Sequence, residues 1–145
     1  MNNPLECVNF MSPVQHSILF VEDSADVLQS LKLFCSIKLP HVHAEFESCP
    51  RAALIKLAET QYSLVVSDED LGGTMPGHML LKHLKQLSPN TQRMMLTAFS
   101  NLEEMKSVAK LNGISYVLGK PFKQDELLSI IERSLQTYEL KATSN

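Results

Sequence analysis

The chain predicts an α/β fold built on a doubly wound, parallel five-stranded sheet. Three observations lead there. Short apolar runs alternate with longer stretches of helical spacing along most of the 145 residues. The runs are apolar throughout, as in strands covered on both faces, and do not alternate with polar residues. Each intervening stretch is long enough to carry the chain back to the same edge, which makes successive strands parallel.

The elements follow in order. Residues 1–16 carry Pro4 and Pro13 without sustained periodicity and read as a lead-in, with Leu5, Val8, Phe10 and Met11 as its apolar members. "ILFV" is the first strand. Ser24 is placed to cap the next helix and Asp26 lies in its first turn, where a negative charge meets the positive helix end. Val27, Leu28, Leu31, Phe34 and Cys35 recur at helical spacing as far as Pro40. "HVHAEF" is the second strand. "SCPRAALIKLAET" is the second helix, with Ser48 as cap and Pro50 tolerated near its start. "YSLVVSD" is the third strand and "HMLLKHLKQL" the third helix, stopped by Pro89. "QRMMLTA" follows as a strand. "NLEEMKSVAKLNG" is a helix with Asn101 at its cap, Glu104 at the capping-box position and Gly113 as terminator. "ISYVLG" is the fifth strand and "KQDELLSIIERSLQTYEL" the last helix. Residues 17–140 thus form one domain, and 141–145 a polar tail or the start of a linker, prone to fray.

Composition narrows the function. An apolar fraction of 44% against 20% charged residues describes a folded globular chain. The net charge of -3, with no long basic run, makes no case for nucleic acid. Cys7, Cys35 and Cys49 lack metal-like spacing, and an odd number without a secretory signal suits a reducing compartment. No apolar run approaches the roughly 18 residues of a membrane span. A cytoplasmic protein with no membrane partner is the expectation.

Polar groups collect where the strands end, the place where parallel sheets bind ligands. Strand one ends in Glu22 and Asp23, strand three in Asp68, strand four in Thr97, and strand five exits through Lys120 and Pro121. Each residue alone has an ordinary explanation, as a cap, a solvated turn or a surface charge. Together at equivalent exits they predict one polar cleft. Three converging carboxylates repel one another, and unpaired burial would raise their pKa values. A hard divalent cation resolves this: Mg²⁺ takes oxygen ligands and few carboxylates, and Mn²⁺ is a plausible substitute. Zn²⁺ suits the place less, since no cysteine or histidine lies at these ends. Asp23 is expected as a metal ligand, and Glu22 as a ligand or a holder of metal-bound water. Asp68, on the central strand, is the candidate nucleophile for phosphoryl transfer, with Lys120 and Thr97 on phosphoryl oxygens.

With these residues in view, "ILFVEDS", "YSLVVSDEDL", "MMLTAFS" and "YVLGKPF" resemble, in order and spacing, the receiver domain of bacterial response regulators. The resemblance runs from about Ser17 to Leu135. It implies a (βα)5, flavodoxin-like three-layer sandwich similar to the chemotaxis regulator. It implies Glu22 and Asp23 as the acidic pair for Mg²⁺, Asp68 as the phosphorylated residue, and the backbone carbonyl of Asp70 as a further metal ligand. Thr97 matches the switch hydroxyl, Tyr116 the aromatic switch position, and the Lys120–Pro121 peptide a bond commonly cis in the family. One segment departs. In "DEDLGGTMPGHMLLKHL", aligning "MPG" with the family's "MDG" puts Gly77 before the third helix. Gly72 then stands where the family has proline, in a loop one residue longer and expected to be more mobile.

The expected function is a signalling switch in a two-component system, phosphorylated on Asp68 by a histidine kinase or phosphotransfer protein. It would catalyse its own phosphorylation and dephosphorylation without an external turnover substrate. The altered state would be read on the fourth helix, fifth strand and fifth helix, where Met105, Val108, Lys110, Lys123 and Glu126 are candidates. A homodimer through that face, a separate target protein and an output domain following the tail all remain open. Two other classes compete with this reading. A pseudo-receiver, binding partners or dimerising independently of phosphorylation, is opposed by the intact polar set. A metal-dependent phosphohydrolase would need a further acid–base group and a cap. Phosphate-cradling glycine loops of the nucleotide-binding kinds are absent.

Overall fold

The computed structural model describes residues 15–73 and 75–143. Five strands alternate with five helices: β1 (Ser17–Val21), α1 (Ala25–Lys38), β2 (His43–Glu47), α2 (Pro50–Glu59), β3 (Leu64–Asp68), α3 (Gly77–Leu87), β4 (Gln92–Ala98), α4 (Leu102–Leu111), β5 (Tyr116–Lys120) and α5 (Gln124–Thr143). A 3₁₀ turn, Phe99–Asn101, joins β4 to α4. All strands are parallel, in the order β2-β1-β3-β4-β5. This is the doubly wound parallel sheet that the alternation predicted, in the flavodoxin-like (βα)5 form that the resemblance implied.

Successive strand residues point to opposite faces, so one apolar strand feeds two cores. Ile18, Phe20, Leu64, Val66, Met94, Leu96 and Leu118 pack under α1 and α5 through Phe34, Ile131 and their neighbours. Leu19, Val21, Val65 and Met95 pack under α2, α3 and α4 through Leu57, Leu80, Leu84 and Ala109. The edge strand β2 is only half-buried.

Local chemistry sets the helix ends. Ser24 Oγ accepts the Val27 amide at 3.4 Å, as its capping position predicted. Cys49, not Ser48, is the N-cap of α2, with Pro50 opening the helix. Asn101 is the N-cap of α4 but makes no side-chain cap bond, because the 3₁₀ turn brings the chain in with helix-like angles. Gly113 turns the chain after α4 at φ 70°. α5 continues through Lys141 to Thr143, so the polar end expected to fray at 141 is helical there. The lead-in reading of 1–14, with Cys7, and of Ser144 and Asn145 lies outside the described residues.

Two polar residues brace the end of the sheet away from the strand exits. Arg93, buried at the start of β4, donates to the carbonyls of Gly113 (3.0 Å), Pro89 (3.2 Å) and Thr91 (2.7 Å). Tyr62, buried just before β3, donates to Glu45 Oε1 at 2.7 Å. No helix among the described residues is long and apolar enough to cross a membrane.

Candidate functional site

The strand order creates the site. After β1 the chain leaves through α1 on one face, and after β3 through α3 on the other. Their neighbouring carboxyl ends are therefore left uncovered, which is the crevice such sheets use for ligands. A cleft of about 330 Å³ opens there, lined by Glu22, Asp23, Asp68, Asp70, Thr97 and Lys120 together with Ser24, Glu69 and Asn101. Glu22, Asp23, Asp68, Thr97 and Lys120, the strand-end groups singled out in the sequence for chemistry, are all in that lining, whereas Pro121 is not.

Glu22, Asp23 and Asp68 each bring a carboxylate oxygen within 4.8 Å of the others. Asp23 is exposed, whereas Glu22 is 1% and Asp68 3% exposed. Lys120 Nζ, arriving from β5, lies 3.0 Å from Asp68 Oδ2 and 3.9 Å from Glu22 Oε2. Glu22 Oε1 accepts the Ser24 amide at 3.1 Å, while the buried Oε2 has no hydrogen-bond partner. Burial lifts the Glu22 carboxyl from its ordinary 4.5 to about 7; the Ser24 amide pulls it down, Asp68 pushes it further up, and Lys120 opposes that rise. One ammonium thus faces two buried carboxylates, with an orphaned oxygen pointing into the cluster. That arrangement fits a hard divalent cation, which takes carboxylate oxygens without requiring protons. Mg²⁺ or Mn²⁺ suits this all-oxygen donor set.

Asp70 lines the same cleft, and its amide lies 3.4 Å from Asp68 Oδ1. The buried Thr97 is paired across the sheet with Gly119, one residue before Lys120. The Lys120–Pro121 peptide is cis.

Tyr116 requires a correction. It packs with Leu118 in the core under α1 and α5, whereas Val117 packs with the core under α2, α3 and α4. Thr97 follows Met95 by two residues and shares its face, the α4 side. Tyr116 therefore lies across the sheet from Thr97, and not on its side as an aromatic partner of the switch hydroxyl would. On the side of Thr97, β5 presents Val117 and the bare Gly119. The ring of Phe99, 68% exposed, covers that gap, with Cδ2 3.2 Å from where a Cβ on Gly119 would stand.

Glu69 and His78 escaped the sequence reading. Glu69 Oε1 accepts the His78 amide at 2.8 Å and Oε2 meets His78 Nδ1 at 2.6 Å, while the Gly77 amide donates to the Glu69 carbonyl at 2.9 Å. The N-cap of α3 is Pro76, which has no side-chain acceptor, so Glu69 supplies one from the strand exit. A helix opening on Pro-Gly was the available signal that its cap lies elsewhere. The loop expected to be looser is thus tied at its base.

Comparison with known proteins agrees with this geometry. The family model described as "Response regulator receiver domain" matches residues 18–132. The DNA-binding transcriptional regulator NtrC of Salmonella typhimurium is 34% identical over 86 residues, 59% of this chain and 18% of that protein. The chain therefore spans under a fifth of that relative's length. The signal receiver domain of an HD domain-containing protein from Pseudomonas fluorescens Pf-5 superposes with a TM-score of 0.78 at 28% identity, covering 87% of this chain and 98% of that one. NtrX from Brucella abortus gives 0.80 at 26% identity, covering 90% of this chain and 29% of that one. With a family match across most of its length and the acidic cleft at the expected strand ends, the chain belongs to the response regulator receiver domain family.

Proposed function

We propose that Asp68 is the phosphoryl acceptor of this signalling switch and that a histidine kinase or phosphotransfer protein is the donor. The carrying observation is the 3.0 Å approach of Lys120 Nζ to Asp68 Oδ2 inside a cleft that also holds Glu22 and Asp23. An Asp68 oxygen attacks phosphorus, the P–N bond to the donor imidazole breaks, and that nitrogen keeps the electron pair and takes a proton. Lys120 offsets charge on the phosphoryl oxygens as they approach. The Thr97 hydroxyl donates to one of them once the group is in place. Mg²⁺, held by Glu22, Asp23, Asp68 and the Asp70 carbonyl, would supply further positive charge at those oxygens, and Mn²⁺ would serve in its place.

Phosphorylation then biases two conformations of one chain, with no external substrate turned over. About 3 kcal/mol of differential stabilisation changes their ratio more than a hundredfold. The output face proposed is α4-β5-α5, where Lys110, Lys123 and Glu126 are exposed and Met105 and Val108 half-buried. Its occupant is a target protein, a second copy of the chain, or an attached output domain.

Intact mass after incubation with Mg²⁺ and acetyl phosphate tests the reading. The parent should gain one phosphoryl group, and neither Asp68→Asn nor parent protein in chelator should. No gain from small donors or a cognate kinase would transfer the weight to a phosphorylation-independent binding module.

A further inference from the structure

The loop after β3 meets the acidic cluster at two places, the Asp70 amide beside Asp68 and Gly72 beside Asp23. Gly72 sits at φ 64°, and a Cβ built on it would lie 2.8 Å from Asp23 Oδ2, closer than two such atoms tolerate. The loop cannot retreat easily. Leu71, next in the chain, is buried in the core under α2, α3 and α4. The Gly72 amide donates to Asp70 Oδ1 at 3.2 Å, and the Gly77 amide closes the loop base on Glu69. Asp23 is exposed, and its carboxylate is free to swing into solvent. A side chain at 72 would therefore displace the carboxylate and leave the loop in place.

We infer that Gly72 is a positioning residue for the divalent metal: its missing side chain reserves the space in which the Asp23 carboxylate joins Glu22 and Asp68. This rests on the metal-dependent phosphoryl-transfer reading and assigns Gly72 a steric role in place of the flexibility its residue type suggested. In metal-free protein the displaced Asp23 costs little, because water solvates it. With metal bound, Asp23 has to return to the cluster, and the collision returns with it. The penalty falls on metal affinity. Gly73 is the internal control, since a Cβ there would meet only the Leu71 carbonyl, at 3.8 Å.

The test is a titration of full chain with Mn²⁺ alone, followed by the electron paramagnetic resonance of the free ion, beside thermal melts in chelator. Gly72→Ala should raise the Mn²⁺ Kd about tenfold, equivalent to ~1.4 kcal/mol. Gly72→Asn tolerates the left-handed backbone and should melt closer to the parent, yet bind Mn²⁺ as weakly as the alanine variant, because its Cβ remains. Gly73→Ala should stay within about twofold of the parent, a difference under ~0.5 kcal/mol. Parent-like affinity in Gly72→Asn, or equal weakening by Gly73→Ala, overturns the inference. A parent that binds Mn²⁺ and is phosphorylated, with both Gly72 variants matching it, overturns the inference alone. A parent that binds no Mn²⁺ overturns the metal reading and the inference with it.

Discussion

Replacing Glu22 by Gln should stabilise the protein in chelator while abolishing most of its response to metal. The change removes one of two adjacent buried carboxylates and keeps a carbonyl oxygen for the Ser24 amide. It also puts an NH₂ group where the orphaned Oε2 stands. The rise of the Glu22 carboxyl from 4.5 to about 7 sets the scale, since ~1.4 kcal/mol per tenfold makes the full penalty about 3 kcal/mol. The sign follows from proton linkage. The folded state holds the Glu22 proton more tightly than the unfolded chain, so the parent loses stability as pH rises from 4.5 to 7 and regains it below 4.5. Urea melts in chelator at pH 8 should place Glu22→Gln above the parent by about 1–3 kcal/mol, a gap that closes as pH falls toward 4. In millimolar Mg²⁺ the parent should gain stability and the variant little. A variant less stable than the parent in chelator at pH 8, or one with an equal Mg²⁺ response, refutes the idea that Glu22 is held as a strained metal ligand.

Three further outcomes concern the scaffold, two at the far end of the sheet and one beside the cleft. Arg93→Ala strands the carbonyls of Gly113, Pro89 and Thr91 and should cost about 3 kcal/mol in denaturant melts. Tyr62→Phe removes the 2.7 Å bond to Glu45 and should cost about 1 kcal/mol at neutral pH. The Tyr62 bond is the largest influence holding the Glu45 carboxyl below its ordinary 4.5, ahead of burial, which opposes it, and of His43 and Lys56. That stability is present above 4.5 and lost as pH falls through the lowered value, so melts of parent and variant should converge in acid. At the base of the β3–α3 loop, Glu69→Ala removes the acceptor for the His78 amide and should cost about 1 kcal/mol, whereas His78→Ala keeps that bond and should cost less. Hydrogen exchange at the His78 amide should rise in the first variant only; the reverse order would remove Glu69 as the cap of α3.

The strands were legible because their burial is written in consecutive residues: "ILFV" and "LVV" have no polar position for water to claim. The cleft was legible for a related reason, since Glu22, Asp23, Asp68, Thr97 and Lys120 stand where those runs stop and a parallel sheet brings its strand ends together. What escaped depends on parity and on contacts distant in sequence. Tyr116 and Val117 differ by one residue and lie on opposite faces, so reading "SYVLGK" for its aromatic alone chose the wrong side of the sheet. The bond from Glu69 to His78 spans a nine-residue gap and leaves no periodic trace. Gly72 advertised freedom by residue type, but its use emerges only beside Asp23 Oδ2, a neighbour no local pattern names.

The perch of Phe99 on Gly119 offers an optical opening. The chain has no tryptophan, so an indole introduced at 99 would emit without competition from another. Placed two residues beyond Thr97 and mostly in water, it would convert events at the acid cluster into changes of colour and brightness at the rim. The molecule comes with a ready-made socket for its own reporter.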